Sequence, residues 1–132
     1  MTLVLADTSV WARVHQVAVA RLLAAATRLD ALAIISPVAL ELLRSARDAD
    51  ALHRDAERLD ALRRIDVTPA MADRAREVQE RLATSGYHRG PSPVDLLAAA
   101  AAEAAGAELW HCDRHFDLIA GVTGQPVRRV GT

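Results

Sequence analysis

The strongest constraint on the fold is the alternation of short apolar segments with longer segments of helical periodicity. Five short segments have the length and apolar character of strands, and helical patterns fill most of the chain between them. Parallel strands joined by crossover helices produce this alternation, because each crossover returns the chain to the same end of the sheet. The sequence therefore predicts an α/β fold in which helices flank a central parallel sheet, and its 132 residues suit one domain over residues 1–132.

Strand and helix boundaries follow from periodicity and from breaker residues. Ser36 and Ser92 each precede a proline, which predicts an N-cap followed by proline at the first helical position. Gly106 is predicted to end the alanine-rich helix that Ser92 begins. The predicted strands are 2–6, 31–35, 65–68, 108–112 and 126–130. The predicted helices are a short one from Thr8, then 17–29, 36–43, 48–64, 69–83, 93–105 and 114–120, with a loop over 85–92.

Composition excludes several classes of protein. The formal net charge of −1 argues against a basic nucleic-acid-binding protein, so any phosphate-binding surface is expected to be local. Cys112 is the single cysteine, which rules out an internal disulfide and fits a reducing cytoplasm. We expect no signal peptide and no membrane span, because the longest apolar stretch, 96–102, is far below the roughly 20 residues that a bilayer requires.

Four acids occupy positions that favour a shared chemical role. Asp7 and Asp113 each end a predicted strand, at the edge of the sheet where open α/β folds place their chemistry. Glu41 lies within an apolar helix, and Asp95 lies in the first turn of the alanine-rich helix. An acid among apolar side chains is costly to bury unless something compensates its charge. A hard divalent cation compensates several carboxylates at once, since it prefers oxygen ligands.

A purely structural role is open for each acid. Asp7 and Asp113 fit N-caps of the helices that follow them, and Glu41 fits an exposed helix position. Ser92-x-x-Asp95 fits a capping box. These roles do not exclude metal binding, because a helix N-terminus favours the ionised carboxylate that a metal needs.

The acidic segments, taken in order, resemble the four acidic blocks of PIN-domain nucleases and are most similar to VapC toxins of bacterial type II toxin–antitoxin pairs. The resemblance covers nearly the whole chain. Its residues are Leu5-Ala6-Asp7-Thr8-Ser9, Glu41 in its apolar helix, Pro93-Val94-Asp95-Leu96-Leu97-Ala98-Ala99-Ala100, and Cys112-Asp113-Arg114-His115-Phe116.

This resemblance implies a sheet of strand order 3-2-1-4-5, which brings Asp7 and Asp113 together while Glu41 and Asp95 arrive from flanking helices. The four acids are then catalytic residues and ligands of one or two Mg²⁺ ions, with Mn²⁺ as an alternative. The implied activity is endonucleolytic hydrolysis of RNA, with tRNA or rRNA as target, which inhibits translation and growth. The implied partners are a VapB-like antitoxin and a second copy of the chain, in a homodimer and a toxin–antitoxin hetero-oligomer.

The chain departs from the common family pattern beside two of the acids. His111 stands where many relatives have threonine, and Val94 stands where many have arginine. Substrate contacts are predicted at the side chains that offer a hydroxyl, a ring or a guanidinium near the acids. They are Ser9, Tyr87, Arg89 and Arg114, with Arg128 and Arg129 as further candidates.

The same residues also bear on other functions. His111, Cys112 and His115 match no common structural zinc spacing, and whether these histidines or Asp117 contribute to the site is left open. A haloacid-dehalogenase-like enzyme requires a second aspartate where Ser9 stands, and a receiver domain requires a lysine, which this chain lacks. A PIN-like module that binds RNA or protein without cleaving it is the remaining alternative.

Overall fold

The computed structural model describes residues 2–132, so Met1 of the predicted domain lies outside the described residues. Within them the chain forms one five-stranded sheet in the order β3-β2-β1-β4-β5. Every neighbouring pair of strands is parallel, which confirms the predicted architecture. The strands are β1 (Val4–Ala6), β2 (Leu32–Ile34), β3 (Arg63–Arg64), β4 (Glu108–His111) and β5 (Val127–Arg129).

Helices cover both faces of this sheet. They are α1 (Thr8–Trp11), α2 (Val17–Arg28), α3 (Ser36–Arg44), α4 (Ala49–Asp60), α5 (Pro69–Ala83), α6 (Pro93–Ala105) and α7 (Arg114–Thr123). Among residues 2–132, no helix combines the length and the apolar character that crossing a bilayer demands.

Two apolar cores form because side chains alternate between the faces of each strand. In β1, Leu5 enters a core with α3, α5, α6 and α7, whereas Val4 and Ala6 enter a core with α1 and α2. In β4, Leu109 joins the first core and Trp110 joins the second. The central strands are therefore apolar on both faces, as expected for a buried parallel sheet.

The alanine-rich helix α6 lies in the middle of the larger core. Ala98, Ala101 and Ala102 have no exposed surface, and the helix contacts α5, α7, β1 and β4. Alanine side chains are small, so helix and sheet can approach closely here. Helix α6 begins and ends as predicted: Ser92 is its N-cap, and Gly106 ends it at a φ of 65° in the left-handed region.

The third strand was predicted in the wrong place. The prediction over 65–68 rested on an apolar run, but the strand is Arg63–Arg64, which pairs with Ala33 and Ile34 at the edge of the sheet. Charged residues suit an exposed edge strand, because they discourage pairing with another chain. The apolar residues Ile65 and Val67 instead pack against the larger core from irregular backbone.

Several helix boundaries also differ from prediction; α7, for example, ends at Thr123 and not at residue 120. The helix predicted over 48–64 is shorter, since α4 spans Ala49–Asp60 with Asp48 as its N-cap. Ser36 is already helical, and Ile35 is the N-cap of α3, without a side-chain hydrogen bond. Proline is tolerated throughout the first turn, so Pro37 marked the start of this helix only to within one residue.

The packing of α6 predicts a sharp contrast between two substitutions of the same type. Ala101→Leu places extra volume in a closed core, and we expect it to destabilise the fold by about 1–3 kcal/mol. Ala104→Leu lies on the exposed side of the same helix, where we expect a change within about 0.5 kcal/mol. Urea unfolding followed by circular dichroism measures both values, and equal stability of the two variants would contradict the packing described above.

A carboxylate cluster at the carboxyl edge of the sheet

The candidate site is built where the chain leaves β1 and β4. The two strands are neighbours, with Ala6 paired to Trp110. Beyond the strand ends, the Asp7 N–H donates to the Trp110 carbonyl at 2.9 Å, and the Cys112 N–H donates to the Ser9 hydroxyl at 2.9 Å. These bonds join the two chain segments at the topological switch point of the sheet, where open α/β folds bind their ligands.

Asp7 is a buried acid with one oxygen left without a partner. Its side chain caps α1, because Oδ2 accepts the Ser9 N–H at 2.9 Å, while Oδ1 is buried and has no hydrogen-bond partner. The residue is only 2% exposed. Burial raises the pKa of Asp7 and the charge of Glu41 raises it further, whereas hydrogen bonds from Ser9 and Thr8 oppose the rise.

Glu41 is held beside Asp7 by a hydroxyl. The Thr8 Oγ1 donates to Glu41 Oε1 at 2.7 Å and so ties α1 to α3 across 33 residues of sequence. This role of Thr8 was not predicted from the sequence. Its position directly after an acid at a strand end was the available signal, but the partner of its hydroxyl depends on how α3 packs.

Asp95 is fixed by the capping box that its sequence predicted. The Ser92 N–H donates to Asp95 Oδ2 at 2.9 Å, and the Asp95 N–H donates to the Ser92 hydroxyl at 3.1 Å. Burial raises the pKa of Asp95, and repulsion from Asp7 and Asp113 adds to the rise. The three aspartates are therefore close enough to interact electrostatically.

Asp113 completes the cluster together with a histidine. Its Oδ1 accepts the backbone N–H of His115 at 3.0 Å, which caps α7. The His115 Nδ1 lies 3.3 Å from the same oxygen and 4.0 Å from Asp95 Oδ2. One ligand atom from each of Asp95, Asp113 and His115 lies within 4.8 Å of the others, which is a spacing that a metal ion can bridge.

His111 is buried beside the cluster but is not part of the group formed by Asp95, Asp113 and His115. Its Nδ1 accepts the Asp113 N–H at 3.2 Å, and its Nε2 lies 3.6 Å from Asp117 Oδ1. Burial lowers the pKa of His111, with Arg129 adding to the effect and Asp117 opposing it. The neutral ring thus supports the backbone of Asp113. Across residues 2–132, the group with metal-ligand spacing consists of Asp95, Asp113 and His115. Of the predicted ligands it leaves out Asp7 and Glu41, and it includes neither His111 nor Cys112.

Two of the four predicted substrate contacts line a cavity beside the carboxylates, and two do not. Tyr87 and Arg114 line a cavity of about 470 Å³ together with His115, adjacent to the carboxylates. Arg89 is exposed on the same loop but is not part of that lining. The Ser9 hydroxyl accepts the Cys112 N–H, so its first role is to join the two strand ends.

Arg128 and Arg129 have intramolecular contacts of their own. The Arg128 guanidinium lies 5.6 Å from the ring centre of Trp110. Arg129 forms an ion pair with Asp117 at 3.4 Å. Both arginines belong to the edge strand β5 and are exposed, so they remain candidates for phosphate contacts only at the rim of the site.

The donor set of the cluster fits a divalent cation. Carboxylates are the ligands that Mg²⁺ and Mn²⁺ prefer, and the cluster gathers several of them at the edge of one sheet. The unpartnered Asp7 Oδ1 is the strongest local sign, since a buried carboxylate oxygen without a donor is costly unless a cation compensates it.

Burial of Asp7 predicts a pH-dependent cost to the metal-free fold. Because the pKa of Asp7 is raised in the fold, ionisation opposes folding near neutral pH, and this penalty fades as pH falls towards the ordinary value. In EDTA at pH 7 we expect Asp7→Asn to raise the melting temperature by several degrees, at roughly 3–6 °C per kcal/mol for a domain of this size. This increase in melting temperature is expected to become smaller as the pH is lowered towards 4.

Asp48→Asn is the matched control for that experiment. Asp48 also caps a helix, by accepting the Ala51 N–H at 2.8 Å, but it is exposed, so the same substitution leaves the melting temperature nearly unchanged at both pH values. Differential scanning calorimetry measures all three proteins. A melting temperature of Asp7→Asn at or below that of the wild type at pH 7 would refute the proposed cost of burying this carboxylate.

Comparison with known proteins agrees with this architecture. The sequence pattern of the PIN domain family matches residues 4–122. Ribonuclease VapC18 of Mycobacterium tuberculosis is 42% identical over 122 residues, covering 91% of this chain and 89% of that protein. Ribonuclease VapC51 of the same organism is 39% identical over 122 residues, covering 92% and 88%.

A solved structure shows the same fold. The crystal structure of VapBC2 from Rickettsia felis, bound to a DNA fragment from its promoter, contains a chain that aligns with a TM-score of 0.79 and 19% sequence identity. The alignment covers 98% of this chain and 99% of that one. The chain therefore belongs to the PIN domain family, and within that family it is similar to the VapC ribonucleases.

Proposed function

We propose that this protein is a metal-dependent endoribonuclease of the VapC type, which hydrolyses phosphodiester bonds in RNA. The observation that carries the proposal is the cluster of Asp7, Asp95 and Asp113, whose charges interact, with Glu41 held beside it. The matching VapC relatives are named as ribonucleases, and they cover nearly the whole chain.

The four acids are proposed as the ligands and catalytic residues. Asp7 offers a free buried oxygen, and Asp95 and Asp113 offer oxygens that backbone N–H groups already orient. A bound Mg²⁺ or Mn²⁺ supplies positive charge to the scissile phosphate and lowers the pKa of water at the site. Thr8 occupies one oxygen of Glu41, which leaves the other to bind the ion or to accept a proton from the attacking water.

RNA contacts are proposed along the cavity beside the carboxylates. The Tyr87 ring stacks on a base, and the Arg114 guanidinium binds a phosphate, since both side chains line this cavity. Arg89 and Ser9 are weaker candidates for phosphate contacts. With a net charge of −1, the protein relies on such local contacts to attract RNA.

The biological role proposed for this activity is that of a toxin whose targets are tRNA or rRNA in the cytoplasm. Solved relatives of the same fold are VapBC toxin–antitoxin complexes, which supports a VapB-like antitoxin as partner. The corresponding assembly is a homodimer of this chain, bound by antitoxin in a hetero-oligomer. When the antitoxin is lost, the free protein cleaves these RNAs, which inhibits translation and slows growth.

Substitution of Asp7 or of Asp95 tests the catalytic proposal. We expect Asp7→Asn and Asp95→Asn each to lower the rate of RNA cleavage by about 100-fold or more, because changes to the partners of metal ligands alone already cost about 10–100-fold. Asp73→Asn on the exposed side of α5 is the matched control and keeps wild-type activity. Cleavage of total cellular RNA with Mg²⁺, Mn²⁺ or EDTA gives the rates, and sequencing of the new 5′ ends identifies the target.

Growth of cells expressing each variant gives a second measure. The wild type and Asp73→Asn are expected to slow growth, whereas the two site variants are not. Equal growth inhibition by all four proteins, with RNA left intact, would favour the alternative of a PIN-like module that binds RNA or protein without cleaving it.

A further inference from the structure

His115 lies against the carboxylate cluster with one ring nitrogen facing two of the acids. Its Nδ1 is 3.3 Å from Asp113 Oδ1 and 4.0 Å from Asp95 Oδ2. Ligands at about 2.1 Å from an octahedral ion are about 3 Å apart when adjacent and about 4.2 Å apart when opposite. Both Nδ1 separations fall within this range, and one ligand atom from each of the three residues lies within 4.8 Å of the others, so one ion could bridge them.

The ring of His115 lies between the two acids and the loop that contains Gly90. On the far side of the imidazole lies Gly90, where a Cβ would meet Cδ2 of His115 at 3.1 Å and Nε2 at 3.3 Å. The absence of a side chain at Gly90 lets the loop press against this edge of the ring. Nδ1 faces Asp95 and Asp113 from the opposite edge of the ring, and the side chain keeps only 27% of its surface exposed.

An independent sign of a cation comes from the opposite side of the cluster. The Asp7 Oδ1 is buried and has no hydrogen-bond partner, and the charge of Asp7 acts on Asp95. A buried carboxylate oxygen without a partner is costly, and a cation beside it would offset that cost. Asp7 lies outside the group of Asp95, Asp113 and His115 that has metal-ligand spacing, but its charge acts on Asp95 and so on the same cluster.

We propose that His115 Nδ1 is a nitrogen ligand of the ion held by Asp95 and Asp113, so that the site binds a first-row transition-metal ion such as Mn²⁺ in preference to Mg²⁺. This inference rests on the proposed metal-dependent function and specifies its cofactor. Both ions prefer oxygen ligands, but Mg²⁺ keeps to an oxygen shell more strictly, whereas Mn²⁺, as a first-row transition-metal ion, accepts an imidazole nitrogen more readily. The nitrogen ligand thus makes the site selective between Mn²⁺ and Mg²⁺, which carboxylates alone distinguish weakly.

A different role of His115 makes a different prediction. If the ring only donates a hydrogen bond that positions Asp113, its removal weakens Mg²⁺ and Mn²⁺ binding to a similar extent. If it is a ligand, its removal weakens Mn²⁺ binding selectively. The ratio of the two affinities, measured without RNA, therefore distinguishes these roles and does not depend on nuclease activity.

Two substitutions of His115 and one control test the proposal. His115→Phe retains a ring against Gly90 and removes both nitrogens, while His115→Asn places an oxygen or amide near the position of Nδ1. His88→Asn changes an exposed histidine in the neighbouring loop and serves as the control. Calorimetric titration of each full-length protein at pH 8 with Mn²⁺ and with Mg²⁺ gives the affinities. Electron spin-echo spectroscopy of the Mn²⁺-loaded protein detects directly bonded ¹⁴N.

We expect the wild type and His88→Asn to show the coupling of a directly bonded nitrogen and to favour Mn²⁺. Both His115 variants should lose the coupling, and the ratio of Mn²⁺ to Mg²⁺ affinity should fall by about tenfold. If His115→Phe does not fold, His115→Asn provides the same comparison. Metal binding without nitrogen coupling in the wild type, or an unchanged ratio in the variants, would overturn the assignment and leave the proposed nuclease intact. Failure of both metals to bind would instead refute the metal-dependent function on which it rests.

Discussion

The parallel pairing of β1 with β4 is the contact on which the candidate site depends. It places the residues that follow both strands at one edge of the sheet, where the Asp7 N–H bonds to the Trp110 carbonyl and the Cys112 N–H bonds to the Ser9 hydroxyl. Asp7 and Asp113 meet there although 106 positions separate their numbers in the sequence. Helices α3 and α6 place Glu41 and Asp95 near the same edge of the sheet.

The aspartates of the site serve the fold and the chemistry together. Asp7, Asp95 and Asp113 each accept a backbone N–H at the start of a helix, which orients the carboxylate and favours its ionised form. Burial and mutual repulsion act in the opposite direction and raise the pKa of Asp7 and Asp95. The metal-free fold therefore holds these charges at a cost to its stability, and a cation relieves that cost when it binds.

Prediction from sequence was most accurate where the signal was local. Hydrophobic patterning located the strands that cross the core, and the resemblance to PIN domains supplied their order, which the structure confirms. Patterning failed for β3, because Arg63 and Arg64 pair through backbone atoms alone and their exposed side chains carry no apolar signal. The apolar run that suggested a strand nearby reflects packing of irregular backbone against the core. The roles of the site residues stay predictions until the variants above are measured.

The sequence by itself determined which acids are present and how three of them are held, because a capping bond joins residues two or three positions apart. Ser92 with Asp95 is the clearest case. Only the tertiary structure decided the contacts between distant segments. It places the Thr8 hydroxyl within hydrogen-bond distance of Glu41, and it packs Gly90 closely against the ring of His115. Such contacts depend on how helices and loops pack across the sheet, and packing is set by the whole core rather than by the residues that meet.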